Sequence, residues 1–133
     1  MKTCLAIPHY NDTERLQSFL EALQRGLPER FSILVSDDGS TPHERERLAV
    51  LIHAVQQKQS SGGPVFLNPL FTPRNTGKGG AILRGWDQAG DADLLAFADA
   101  DGAVSASEIL RAENFFRSPE AATSDALFAS RVK

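Results

Sequence analysis

The apolar residues of this sequence come in short unbroken runs, and that pattern most narrows what the chain can fold into. "CLAIP" covers Cys4 to Pro8, "FSILVS" Phe31 to Ser36, "VFL" Val65 to Leu67 and "DLLAFA" Asp93 to Ala98. None alternates apolar with polar as a strand with one wet face does. Such runs read as strands covered on both faces, which is the habit of parallel sheets. Parallel neighbours need a long return connection, usually a helix, and the segments between the runs supply one each time. Asn11-Asp12-Thr13-Glu14 has the form of a capping box opened by Asn11, and Leu16, Phe19, Leu20 and Leu23 then share one helical face until Gly26 and Pro28 stop it. Thr41 caps the next helix with Pro42 at its first position, and Leu48, Leu51, Ile52 and Val55 form its buried side. Ser60 to Pro64 is a loop, and Pro69 and Pro73 break up the segment after the third run. "NTGKGGAILRGW" opens a third helix with Ala81, Ile82, Gly85 and Ala89 toward the core. Ser105 to Glu108 is another capping box, whose helix runs to about Phe116 with Pro119 past its end. "DALFASR", Asp125 to Arg131, begins a fifth strand. The expected fold is α/β: three α/β/α layers around a mainly parallel sheet.

Composition removes several functions. The 133 residues suffice for one domain with one core. The formal net charge is −3, and no two of the 14 Lys and Arg are adjacent, so there is no basic patch for nucleic acid. The single cysteine, Cys4, excludes an intrachain disulfide and a multi-cysteine metal site, and fits a reducing compartment. No apolar run reaches the roughly 18 residues of a membrane span, and the N-terminus lacks signal-peptide form. The expected setting is the cytoplasm, including the cytoplasmic face of a membrane.

The residues that end each run point to a site. In parallel sheets ligands bind beyond the carboxyl ends of the strands. There this chain places Pro8, His9, Tyr10, Asn11 and Asp12; then Asp37, Asp38, Gly39 and Ser40; then Arg74, Asn75, Thr76, Gly77 and Lys78; then Asp99, Ala100 and Asp101. Asp99 and Asp101, two apart at the end of a strand, can reach one side and hold a hard cation such as Mg²⁺ or Mn²⁺; the plainer reading is that Asp and Gly simply turn the chain. Asp37-Asp38-Gly39-Ser40 is either a turn or a source of acceptors for a base or ribose. "NTGKGGA" either binds phosphate through helix amides and Lys78 or uses its glycines for close packing. Tyr10 either stacks on a base or packs. Trp86 and Cys4 read as packing, and His43 and His53 as solvated.

Taken in order, these segments resemble a family 2 glycosyltransferase of the GT-A fold. "AIPHYND" resembles that family's I-P-x-Y-N-E opening, with Asp12 where Glu is usual. "LVSDDGS" is similar to its V-D-D-G-S turn, "NTGKGGAILRGW" to its N-x-G-K-G segment, "FADADG" to its D-x-D motif and "ASR" at Ala129 to Arg131 to its G-S-R. The Lys-Gly helix and the D-A-D-G pair are closest to the branch that transfers hexose to dolichyl or polyprenyl phosphate. The resemblance implies a UDP- or GDP-sugar donor and an inverting transfer in glycan synthesis at the cell envelope. It implies that Pro8, Tyr10, Asn11 and Asp12 line the nucleoside pocket and that Asp38, with Asp37 and Gly39, meets base or ribose. It also implies that Lys78 lies near the nucleotide, and that Asp99, Ala100 and Asp101 carry the divalent cation on the diphosphate. The family's domain continues past this length, so the expectation is a donor half without its acceptor half and without an identifiable catalytic base. The alternative is a non-catalytic nucleotide-binding fragment or pseudoenzyme. Missing cover also leaves apolar surface that favours self-association. A phospho-receiver domain fits worse, because its acidic pair follows the first strand and its Lys the last. A nucleotidyltransferase would carry its Gly-rich loop where this chain has "PHYND".

Overall fold

A computed structural model describes residues 1–59 and 61–118. The elements are β1 (Thr3–His9), α1 (Thr13–Gly26), β2 (Phe31–Asp38), α2 (Pro42–Gln57), β3 (Val65–Phe66), β4 (Leu70–Thr72), α3 (Lys78–Asp87), β5 (Leu94–Phe97) and α4 (Ala106–Phe116). The sheet order is β3-β2-β1-β5, with β4 also on β2, and every pairing is parallel. β1 is central and buried along its whole length. The chain winds outward from β1 to β2 to β3 and then returns to β5 on the other side of β1. This reversal opens a crevice beyond the ends of β1 and β5, where open α/β sheets bind ligands.

Residue parity on the strands decides which helix each side chain meets. Leu5, Ile7, Ile33 and Val35 join one apolar cluster with Leu16, Leu20 and Leu23 of α1 and Leu48, Ile52 and Val55 of α2. The intervening residues, Ala6, Leu34 and Ser36, face α3 across Gly85; a Cβ there would stand 3.2 Å from that of Ala6. Gly85, rather than Gly79 or Gly80, is the glycine of close helix–strand packing. At the opposite end of the sheet Glu113 of α4 takes Arg30 bidentately, at 2.6 Å on Oε1 and 3.0 Å on Oε2, and the Thr3 hydroxyl at 2.6 Å. A buried carboxylate held by a guanidinium and a hydroxyl ties α4 to the sheet.

Several expectations need correction. The strands before the two loops run further than their apolar runs, to His9 and Asp38. β4 is an additional strand: Leu70–Thr72 pairs with Ser36–Asp38 between two prolines, which the sequence marks only as breakers. Asn11 does not cap α1. Asp12 takes that position without a side-chain cap bond, and Asn11 adopts the left-handed region at φ 49°. Ala89 lies beyond α3 and is only half-buried. The sheet is not covered on both faces throughout. Leu95 and Phe97 of β5 are 49% and 43% exposed on the α3 side, with Trp86 tilted against Phe97. Thr41 and Ser105 do cap α2 and α4 through Glu44 N–H and Glu108 N–H. The expected fifth strand, Pro119 and "ASR" lie outside the described residues. Among the described residues no helix is long and apolar enough to cross a membrane.

Candidate functional site

The parallel register sets His9 of β1 beside Asp37 of β2. Both are buried, and the His9 ring meets the Asp37 carboxylate at 2.8 Å through Nδ1. The other ring nitrogen, Nε2, accepts the Asp12 backbone N–H at 3.1 Å, with the Thr13 hydroxyl 3.3 Å away. A backbone N–H can only donate, so Nε2 is bare and Nδ1 carries the proton that goes to Asp37. The Ser40 hydroxyl and amide also donate to Asp37, and Ser40 Oγ accepts the Asn11 amide at 2.9 Å. Asn11 Oδ1 in turn accepts the Thr41 amide. The left-handed turn at Asn11 is thus stitched to the β2 loop at both ends. Burial alone would raise the Asp37 carboxyl, but the hydrogen bonds from His9 and Ser40 outweigh it and hold it below its ordinary value.

Asp38, one residue on, points to the other face. Its carboxylate accepts the amides of Thr76 and Gly77 at 2.9 and 2.8 Å, the Thr76 hydroxyl at 3.0 Å and Arg84 NH2 at 2.9 Å. Gly77 caps α3 and has no side chain to do it with. Asp38 therefore fixes the N-cap residue of α3 and the residue before it from across the sheet. Gly39 makes this approach possible. It has φ +78°, and a Cβ on it would lie 2.4 Å from the backbone of Arg74 and Asn75. Two amides of the Gly-rich segment, those of Thr76 and Gly77 just before α3, are thus taken by a carboxylate of the protein itself.

The end of β5 is different. Ala98 and Ala100 are buried in the core cluster, and Asp99 and Asp101 between and beyond them are exposed. Both carboxylates thus lie exposed on the segment that follows β5, which the buried Ala98 and Ala100 anchor. Asp99 Oδ1 pairs with Lys78 Nζ at 2.6 Å, at the first residue of α3. Asp101 Oδ1 accepts the Ala103 amide across the turn at Gly102, which has φ +72°. On the facing side Arg15 binds both oxygens of Asp12, at 2.9 Å each. Its hydrogen bond to Asp12, that carboxylate's charge and the charge of Asp101 hold the Arg15 guanidinium above its ordinary value. Tyr10, just past the end of β1, stands half in solvent, while Pro8 is buried in β1.

The structure therefore brings the charges of Asp12 and Asp101 to bear on Arg15 and pairs Lys78 with Asp99, while Tyr10 stands half exposed past β1. It buries Asp37 and Asp38, and leaves Asn11 and Gly39 to shape the loops. Sequence reasoning missed Arg15, whose signal is its position three residues after Asp12 on a helix. It missed Arg84 and the bridging role of His9, which only the register brings into place. A groove of about 460 Å³ between α1 and α2, lined by Gln17, His43, Arg47 and Leu51 among others, is separate from these carboxylates.

The sequence model of the family described as Glycosyl transferase family 2 matches residues 4–131. No curated protein matches the chain significantly. Among solved structures, the chain is similar to residues 1–349 of TarS from S. aureus, with TM-score 0.64 and 20% identity, over 88% of this chain and 32% of that one. It is also similar to the mannosyltransferase PcManGT from Pyrobaculum calidifontis in complex with GDP-Man and Mn²⁺, with TM-score 0.67 and 13% identity, over 89% of this chain and 33% of that one. The chain spans about a third of the length of either structure, and at these identities the likeness is one of fold.

Proposed function

The chain belongs to glycosyl transferase family 2, and from that premise we propose that it is the donor-binding part of an enzyme transferring a hexose from a UDP- or GDP-sugar with the help of a divalent cation. The observation that carries the reading is the pair Asp99 and Asp101, both exposed just beyond the carboxyl end of β5. The residues fit a hard cation. Both are carboxylates, and the Lys78 ammonium already stands against Asp99 as a cation does. Among the described residues no third His, Cys, Asp or Glu joins them in a cluster. The protein's share would thus be two oxygen donors, and Mg²⁺ usually takes its remaining ligands from phosphate and water.

In this reading Asp99 and Asp101 hold Mg²⁺ or Mn²⁺ against the diphosphate. When bound, the cation supplies Lewis-acid stabilisation of the leaving nucleoside diphosphate. Lys78 adds a second positive charge beside the same phosphates. Tyr10 offers its ring to the base, and Asn11 and Asp12 shape the floor of the nucleoside pocket above Pro8. Asp37 and Asp38 act from behind, holding the first loop and the start of α3 at fixed positions. The acceptor belongs to the same proposal: a lipid phosphate, such as a polyprenyl phosphate at the cytoplasmic face of a membrane.

The test is calorimetric titration with UDP-glucose and GDP-mannose, each with and without Mn²⁺, on the wild-type chain and on Asp101→Ala. Cation-dependent binding of one donor, lost in the variant, is the expected result. Binding of neither donor under any condition removes the proposal.

A further inference from the structure

The buried histidine of the first loop is not accounted for by any of this. His9 is 1% exposed and makes contacts on both ring nitrogens. Among the described residues it is the one titratable side chain that bonds both to β2 and to the start of α1 behind the crevice. Its ring spans from the Asp37 carboxylate to the Asp12 amide, and no other side chain bonds to that amide among the described residues.

We propose that His9 is the positioning residue of the nucleotide loop: as the neutral Nδ1–H tautomer it fixes Tyr10–Asp12 in the binding form, and its protonation releases that loop. Donors and acceptors decide this. The Asp12 N–H needs an acceptor, and only a bare Nε2 provides it. An imidazolium has a proton on each nitrogen, so it keeps the bond to Asp37 and loses the one to Asp12. Two N–H groups would then face each other in a buried space, and the backbone at Asp12 must move. Tyr10 lies between His9 and Asp12 and moves with it, while Asn11 stays tied to Ser40 and Thr41.

The charged surroundings are few. Asp37 of β2 faces Nδ1, where it stabilises either protonation state of the ring through the same bond. At the start of α1, Asp12 turns its carboxylate to Arg15. From α2, the Glu44 carbonyl takes the Thr13 hydroxyl, and the Glu44 carboxylate is paired with Arg47. The Thr13 hydroxyl, 3.3 Å from Nε2 and with its own proton directed to the Glu44 carbonyl, can take the new Nε2–H, which leaves the Asp12 amide without its Nε2 acceptor.

The inference rests on the proposed nucleotide site for its function but not for its geometry, and two measurements separate them. The first follows the ring nitrogens of His9 and the Asp12 and Tyr10 amides by NMR in the ligand-free chain as pH is lowered from 8 to 5.5. The expected result is a bare Nε2 at high pH, with both amides shifting along the His9 titration and not along those of His43 or His53. A protonated Nε2 at high pH, a ring that does not titrate, or amides indifferent to it would overturn the proposal. The second measures the affinity for UDP-glucose and GDP-mannose with Mn²⁺ over the same range; these donors have no phosphate group that titrates there. Affinity should fall by about five- to tenfold, the scale of one hydrogen bond, and His9→Gln, which cannot charge, should bind without that pH dependence. An unchanged profile in His9→Gln sinks the positioning role. If neither donor binds while the amides still follow the ring, the functional reading fails and the positioning role stands.

Discussion

Two pairs of aspartates end two strands of this sheet, and their fates are opposite. Asp37 and Asp38 are adjacent, so the strand sends one to each face. Both are buried, and between them they hold the β1 loop, the β2 turn and the first residues of α3. Asp99 and Asp101 lie beyond the end of β5, at the turn of Gly102, and both remain exposed, with buried alanines before and between them. Asp38 accepts from four donors and Asp37 from three, whereas Asp99 and Asp101 each have one oxygen engaged, which leaves them the greater capacity for a ligand. Under the proposed function the second pair would be the site and the first a brace that holds its loops still.

The glycines after each pair give the sharpest contrast. Gly39 and Gly102 both have positive φ, but a Cβ on Gly39 meets backbone at 2.4 Å, while on Gly102 it meets only the Phe19 ring at 3.4 Å. Gly39→Ala should therefore cost about 3–5 kcal/mol or prevent folding. Gly102→Ala should cost about 1–2 kcal/mol, the strain of its backbone conformation. Urea unfolding of both variants checks this, and equal losses would dissolve the contrast.

The carboxylates themselves come next. Asp38→Ala removes the acceptor of four donors and strands the half-buried Arg84 guanidinium, so a loss of about 3–5 kcal/mol is expected. Asp99→Asn should change stability by less than about 0.5 kcal/mol and yet abolish Mn²⁺-dependent donor binding. A stable Asp38→Ala protein, or an Asp99→Asn protein that keeps cation-dependent binding, would show that the division into brace and site is wrong.

Asp37 adds a pH signature. Its folded value lies below the ordinary one, so the stability it contributes is fully present above its unfolded value, near pH 4, and is lost as pH falls through the folded value. Thermal unfolding followed from pH 6 to pH 2.5 should show a steep decline below about pH 4 in the wild type. Asp37→Asn should start about 2 kcal/mol less stable, the scale of a bond to a charged group, and decline less steeply.

Much of this is legible in the sequence. Unbroken apolar runs ending at Pro8, Ser36 and Ala98 identify parallel strands, and the caps at Thr41 and Ser105 fall where local chemistry puts them. The i,i+2 spacing of Asp99 and Asp101 gives the exposed pair its reading. The illegible part depends on contacts distant in sequence. Nothing near Asp38 announces that its partners are Thr76, Gly77 and Arg84. His9 beside Asp37 follows from the strand register, which a single sequence does not print. β4 is hidden because its Leu-Phe-Thr is too short for a pattern and is flanked by prolines. Asn11 misleads because Asn serves equally as helix cap and as left-handed turn residue, and the Ser40 and Thr41 partners that decide between them come 29 and 30 residues later.

The smallest expected effect probes the cation end of the comparison most directly. Lys78 and Asp99 are about half exposed and joined at 2.6 Å, so their pairing contributes only about 0–1 kcal/mol to stability. Lys78→Met should leave the urea midpoint almost where it was. Its effect on ligands should have two signs. In the absence of nucleotide the ammonium occupies an Asp99 oxygen that a cation would use, so removing it should strengthen Mn²⁺ binding, read by Mn²⁺ electron paramagnetic resonance. In the presence of a UDP- or GDP-sugar the same ammonium neutralises phosphate, so its removal should weaken donor binding. Opposite signs are what a positive charge shared between carboxylate and diphosphate produces. A variant that weakens both, or neither, would place Lys78 outside the site and leave its bond to Asp99 a surface ion pair.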